Sequence, residues 1–173
     1  TNDAIDRAVK RGAGLTEGGH YEAFTYEGYA PGGVAVLIDV LTDNRNRTAS
    51  DVRNVFSKVG GSMAEPGAVS WQFSRRGVLL LESNDEDAVM LAALEAGADD
   101  VTADGDGSWH ITCDPSIVFD VRDALDAAGL PVASTESTMV SSLTIEVTDV
   151  ADARAILRVI DALEELDDVQ DVY

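Results

Sequence analysis

Val34-Ala35-Val36-Leu37-Ile38 is a continuous apolar run of strand length, and it predicts a strand over 34–41 buried on both faces. Pro31-Gly32-Gly33 supplies the bend before it. The polar stretch Thr42-Asp43-Asn44-Arg45-Asn46-Arg47-Thr48 follows, and Thr48 with Asp51 makes a start like a capping box, Asp standing for the usual Glu. Val52, Val55, Phe56 and Val59 recur at i, i+3, i+4 and i+7, so a helix is predicted over 49–59, ended by Gly60. A strand over 68–74 completes a β-α-β piece. Val78-Leu79-Leu80-Leu81 then begins a strand over 78–82, Asn84 or Asp85 caps a helix ending at Gly97, and Val101 lies in a short strand. Asp104-Gly105-Asp106-Gly107 reads as a hairpin turn from which Trp109 to Thr112 returns. Asp114 as N-cap and Pro115 at the first helical position start a helix that Gly129 closes, and 131–140 is a strand. The chain ends with a strand over 143–147, a helix from about 150 to 165 with Ile156, Leu157, Ile160 and Leu163 on its apolar face, and a strand over 169–173.

Residues 78–141 hold a complete β-α-β-β-α-β set, whereas the β-α-β pieces on either side of them each lack a partner. Joined, the outer pieces make a second set. The expected fold is α/β (α+β): two ferredoxin-like βαββαβ lobes, one inserted in the other. The domains are then 21–77 plus 142–173, discontinuous, and 78–141 as the insert. Strand 143–147 is expected to join the sheet of strand 34–41. Residues 1–13 read as the end of a helix, with Ile5, Ala8 and Val9 on one face and Gly12 as its stop, and 14–20 as a Gly-rich linker in which His20 is solvated.

Composition refines this picture. The hydrophobic share of 45% is that of a chain with real cores. No apolar run approaches the roughly 20 residues of a membrane span, no signal peptide opens the sequence, and the single Cys113 cannot form an internal disulfide, so the expected location is the cytoplasm, with no membrane partner. The net charge of −20 opposes contact with phosphates. Its distribution is uneven: residues 1–76 hold nine Lys/Arg and nine Asp/Glu, whereas 77–173 hold three and twenty-three. A neutral part is therefore joined to a strongly acidic one.

Catalytic chemistry finds little footing. Asp104-x-Asp106-Gly107 lacks the remaining ligands of a calcium loop, and Pro31-Gly32-Gly33 precedes its strand and lacks the Lys of a phosphate loop. Cys113 has no neighbouring His or second Cys and reads as a packing thiol. Asp99-Asp100 and Asp167-Asp168 read as solvated element ends, and Trp71 and Phe73 as core positions of a strand. The reading is a protein that is not an enzyme, with no catalytic residue, metal site or cofactor. The basic residues carry more information. Arg45 and Arg47 lie where a loop enters a helix, Arg53 and Lys58 point away from the helix's apolar face, and Arg75 and Arg76 sit where the chain passes between lobes. Guanidinium groups pair bidentately with phosphate, so these six are the candidate nucleic-acid contacts. The competing account is structural: Asp43, Asp51 and Glu65 neutralise them within the fold.

Three stretches carry a resemblance. Tyr26-Glu27-Gly28-Tyr29-x-Pro31-Gly32-Gly33-Val34-Ala35 with Leu41 to Thr48, then Phe56-Ser57-Lys58-x-Gly60-Gly61, then Ile160 to Tyr173, resemble the signature of the YebC/PmpR family, whose members include the mitochondrial translational activator of cytochrome c oxidase. Ala30 departs from it, standing where the family pattern has Gly. The resemblance covers nearly the whole chain and implies the same two-lobed fold. It further implies a regulator of gene expression that binds DNA as a transcriptional regulator, acts on the ribosome as a translation factor, or does both. The family's basic, helical N-terminal domain is expected to be missing here, with residues 1–13 as its end, so nucleic acid (DNA or ribosomal RNA) would be met mainly through that domain and the neutral lobe. The alternative is a small-molecule sensor binding its ligand between the lobes, an analogy of fold alone.

Overall fold

The computed structural model describes residues 3–6, 9 and 20–173. Residues 3–6 and 9 are helical; the rest of the helix expected over 1–13, and the linker before His20, lie outside the described residues. The chain divides into two compact units, Thr1–Gln72 with Leu143–Tyr173, and Phe73–Ser142. Each is an α/β unit built on a four-stranded antiparallel sheet.

The first unit contains β1 (Glu22–Ala30), β2 (Val34–Thr42), α1 (Arg45–Val59), β3 (Ser62–Ala64), and, from the far end of the chain, α4 (Val150–Glu164) and β8 (Val169–Val172). Its strand order is β3-β1-β2-β8. Ile38 and Val40 of β2 meet Val52 and Phe56 of α1 and Val159 and Leu163 of α4 in its core. Phe56 dictates the glycines of the signature. A Cβ on Gly28 would lie 2.6 Å from the Phe56 ring, and one on Gly61 would lie 2.7 Å from the same ring and 2.5 Å from the Tyr29 carbonyl oxygen.

Two expectations fail in this unit. Residues 143–149 form no strand, because the sheet position expected for 143–147 is taken by β1, which pairs with β2 from Glu22↔Thr42 to Ala30↔Val34. The strand order is still ferredoxin-like, with a strand from before β2 filling the third slot. The strand expected over 68–74 is also absent: Ser70–Gln72 form a 3₁₀ turn. The carboxylate of Glu27 explains it. Buried on β1, it accepts hydrogen bonds from the backbone N–H groups of Gly67 (2.5 Å), Val69 (2.9 Å) and Ser70 (2.6 Å). Three donors within four residues gathered onto one carboxylate, with the Ala68 N–H turned to the Glu65 carbonyl, fold the backbone into a turn rather than a ladder. Val69 is fully buried beside it, while Trp71, expected in the core, is 67% exposed.

The second unit is contiguous: β4 (Phe73–Glu82), α2 (Glu86–Ala96), β5 (Asp100–Ala103), β6 (Ser108–Cys113), α3 (Val118–Ala127) and β7 (Val132–Ser141), in the order β5-β6-β4-β7. This is the βαββαβ order of a ferredoxin-like lobe. Its core is Leu79, Leu81, Val89, Ala93, Trp109, Ile111, Cys113, Val118, Val121, Leu125 and Leu130. Burial raises the Cys113 thiol above its ordinary pKa, as befits a packing residue. Gly77 falls in the middle of β4, where a Cβ would come within 2.7 Å of Val118 and 2.9 Å of the Cys113 sulfur. The glycine that reads in sequence as a change of region is a close-packing site inside one continuous strand.

The charge picture also changes on folding. The first unit, with its distant segment, holds nine basic and eighteen acidic residues; the second holds three and fourteen. Neither unit is neutral, because residues 143–173 bring nine carboxylates to the unit that begins the chain.

Candidate nucleic-acid interface

α1 begins at Arg45, earlier than the predicted 49, and its N-cap is Asn44, whose Oδ1 accepts from the Arg47 N–H at 3.1 Å. Thr48 is not the cap. It is buried inside the first turn, with its hydroxyl 2.8 Å from Asp168 Oδ2 and 2.8 Å from Thr42 Oγ1. Thr42 Oγ1 in turn accepts from the Asn44 N–H at 3.0 Å and lies 3.2 Å from Asp168 Oδ2. Asp168, expected at a solvated end, is buried.

The network decides what Arg47 does. Its Nη2 donates to Asp168 Oδ2 at 2.9 Å, to Asp168 Oδ1 at 3.2 Å and to Asp43 Oδ1 at 2.9 Å. Hydrogen bonds to Asp168 first, and to Asp43 second, raise its pKa further and hold it charged. The backbone of the same segment adds a bond from the Leu41 N–H to the Asp168 carbonyl at 2.8 Å. Arg47 thus ties the start of α1 to the segment between α4 and β8. The adjoining surface cleft, about 440 Å³, is lined by Asp51, Glu165, Asp167 and Asp168 against Arg47, a set that repels phosphate.

Arg45 differs. Its side chain is 66% exposed, its closest carboxylate is Glu22 at 3.9 Å, and its guanidinium lies 4.6 Å from the centre of the Phe24 ring. Phe24 meets Tyr26 edge-to-face at 4.8 Å, and the Tyr26 hydroxyl donates to the Arg45 carbonyl at 3.1 Å. Burial raises the Tyr26 phenol above its ordinary pKa, while the nearby charges of Arg45 and Arg53 pull the other way. Arg45 and Arg53 therefore both lie beside the middle of β1, Arg45 at Phe24 and Tyr26 and Arg53 in a cleft it shares with Tyr26. The first turn of α1 contains no acidic residue and two arginines, opposite to what the helix dipole favours. For Arg47 the Asp168 and Asp43 carboxylates compensate; among the described residues, Arg45 has the weak pair with Glu22 alone.

The remaining candidates do not gather here. Lys58 is exposed in the last turn of α1, where a cation complements the dipole. Arg75 and Arg76 lie on β4 of the second unit, opposite Met139 and Thr138 of β7. Arg76 forms an ion pair with Asp99, and Arg75 Nη1 donates to the Ser137 carbonyl at 3.4 Å. Sequence reasoning missed Phe24 and Tyr26, which a period-of-two reading of 22–30 would have placed on one strand face. Among the described residues no group of three or more His, Cys, Asp or Glu side chains is placed to hold a metal ion, and no helix is long and apolar enough to cross a membrane.

Comparison with known proteins agrees with the signature. Residues 21–173 match the family model described as TACO1/YebC second and third domain. A protein of Beutenbergia cavernae described as a probable transcriptional regulatory protein is 54% identical over 99% of this chain and 69% of its own length. One of Shewanella oneidensis with the same description is 51% identical over the whole chain and 70% of its own length. The crystal structure of a conserved hypothetical protein from Aquifex aeolicus superposes with a TM-score of 0.70 at 41% identity, covering 98% of this chain and 70% of that one. With the family model spanning both units and relatives above half identity along the full chain, the protein belongs to the TACO1/YebC family.

Proposed function

We propose that the protein is a non-enzymatic regulator of gene expression that contacts nucleic acid, as DNA in transcription control or as ribosomal RNA in translation, through the exposed edge of α1 in its first unit. The observation that carries this reading is Arg45. Its charge opposes the helix dipole, it is mostly exposed, and it is stacked on Phe24, so its folded environment gives little reason for a guanidinium there. Arg53 extends the same edge, while Lys58, Arg75 and Arg76 supply weaker, outlying contacts. Arg47 is a positioning residue: it fixes the first turn of α1 through Asp43 and Asp168 and so sets where Arg45 points. The names of the relatives from Beutenbergia and Shewanella support the transcriptional form of this reading.

Both units are acidic, so the chain of 173 residues binds weakly by itself. The family's basic helical domain, in proteins that carry it, adds most of the affinity. The test is binding of wild type and Arg45→Ala/Arg53→Ala to a labelled DNA duplex and to ribosomes, each across a salt series. The double substitution should weaken binding on one target and flatten its salt dependence by about one unit of slope per lost duplex-phosphate contact. Unchanged affinity and slope on both targets would end the reading.

A further inference from the structure

We propose that the outer face of α2, in the second unit, is a docking site for a basic amphipathic helix of a protein partner. The helix carries more apolar surface than its own fold uses. Val89 and Ala93 are fully buried and, with Ala88, Ala92 and Ala96 packed alongside, supply the side that faces the core. Yet Leu91 is 62% exposed, Leu94 56% and Met90 37%. These three lie together on the helix surface, one turn after Asp87. On α3, which packs beside α2, Phe119 is exposed as well. Single exposed leucines are ordinary, but a contiguous apolar stripe on one helix marks an interaction surface.

The charge around the stripe selects the occupant. Glu86, Asp87 and Glu95 flank it on α2, and Asp120 and Asp123 are exposed on α3. Glu86 and Asp87 suit the N-terminal end of the helix dipole, but Glu95 sits in the last turn, where a carboxylate is unfavourable and no basic residue offsets it. The unit's three basic residues are already engaged: Arg76 with Asp99, Arg122 with Asp123 and over the Phe119 ring, and Arg75 with the Ser137 carbonyl. Nucleic acid is repelled from such a surface. A second copy of the chain would bring like charges together. A helix with apolar residues at i, i+3, i+4 and i+7 and Lys or Arg on its flanks matches both features: its apolar side chains pack on Met90, Leu91 and Leu94 while its cations meet Glu86, Asp87 and Glu95.

The test uses the whole chain and a fluorescent synthetic helix of alternating Leu and Lys faces, with a Lys/Ser peptide of equal charge as control. The Leu/Lys peptide should bind about tenfold tighter or better than the control. Leu91→Ser/Leu94→Ser should abolish that preference with an unchanged melting temperature, because both side chains are exposed. Glu95→Lys, a second variant on the same face, should weaken the Leu/Lys peptide while leaving the fold intact, and Leu157→Ser on α4 should change nothing. Equal binding of the two peptides, full binding by Leu91→Ser/Leu94→Ser, or an equal loss in Leu157→Ser would overturn the proposal. So would sedimentation showing self-association of the wild type that Leu91→Ser/Leu94→Ser removes, since the occupant would then be a second copy.

Discussion

The two units share a strand order and reach it by different means. The second is continuous in sequence, and its buried residues are apolar throughout its described core. The first is assembled from two segments separated by the whole of the second. Every buried polar or charged residue among those described belongs to it: Glu27, Thr42, Thr48 and Asp168. These groups sit where non-local pieces must be fixed in register. Asp168 joins the C-terminal segment to the start of α1, and Glu27 fixes the loop that leads out of the unit. Bringing distant segments together costs loop-closure entropy that local hairpins avoid. Apolar contact tolerates sliding, whereas a carboxylate matched to three or four donors accepts one arrangement. The comparison teaches that a contiguous lobe can be specified by its hydrophobic pattern, while its interrupted counterpart adds buried polar anchors.

The sharpest break in that contrast is Asp168→Ala. It leaves Arg47 without its main partner and the Thr42 and Thr48 hydroxyls without their shared acceptor. We expect a loss of about 3 kcal/mol in urea unfolding, in the range for removing one member of a largely buried, hydrogen-bonded pair. Protection of α1, α4 and β8 amides in hydrogen exchange should fall while that of β4 and β6 is retained; a uniform fall across both units would show that the anchor is not local. Next come the close-packed glycines. Gly28→Ala in the first unit and Gly77→Ala in the second each force a methyl group into an occupied site, and about 1–3 kcal/mol is expected for each. Their effects should add, since they lie in different units, and strong non-additivity in the double variant would contradict the division.

Glu27→Gln sharpens the comparison at lower cost, about 1–2 kcal/mol, because an amide retains one acceptor for three N–H donors. It also carries a pH signature. Burial alone would raise the Glu27 carboxyl, but the bonds from Gly67, Val69 and Ser70 outweigh it and the net direction is down. A carboxyl whose folded pKa is depressed adds stability that is fully present above its unfolded value, near 4.3, and is lost as pH falls through the folded one. Wild type should therefore lose stability relative to Glu27→Gln on acidification below about pH 4.3. Parallel stability curves for the two proteins would show that Glu27 is not charged in its loop.

Much of the fold is legible in the sequence because the second unit is locally encoded. Asp85, Asp114 and Gly97 punctuate its helices where simple capping rules place them. The first unit is legible only in part. The alternation of 143–147 looks like a strand, yet β1 competes for the same sheet position and wins it by pairing along its whole length with β2. Trp71 next to Phe73 reads as strand core, but the loop answers to a carboxylate far back in the sequence at Glu27. Asp168, beside Asp167 at a helix end, has the local look of a solvated charge; its partners Thr42, Arg47 and Thr48 lie more than a hundred residues away. Non-local polar pairing leaves no periodic trace, so a hydrophobic pattern cannot disclose it. The candidate site suffers similarly: Arg45 and Arg47 look equivalent as neighbours in one loop, and only the position of Asp168 separates them.

That separation gives the smallest expected effect on stability and the clearest division of roles. As surface arginines in one loop, both would be replaceable by Ala within about 0.5 kcal/mol. The geometry now divides them. Arg47→Ala removes the cation from a buried carboxylate and a donor from the Thr42 hydroxyl, so it should cost about 2 kcal/mol, discounted from a fully buried pair because Arg47 itself is partly exposed. Coupling between Arg47→Ala and Asp168→Ala in a double-mutant cycle should recover most of that loss. Arg45→Ala leaves the cap and the core untouched and gives up only an exposed stack on Phe24 and a long pair with Glu22, so its stability should stay within about 0.5 kcal/mol of wild type. On nucleic acid the order reverses. Arg45→Ala at full stability should weaken binding and reduce the salt slope by close to one unit on duplex DNA, as loss of a phosphate contact requires. Arg47→Lys keeps a cation beside Asp168 without the planar fork and should leave that slope unchanged while lowering the melting temperature. If Arg45→Ala instead destabilised the protein as much as Arg47→Ala and left the slope intact, the two arginines would form one structural clamp, and the edge of α1 would not be the interface.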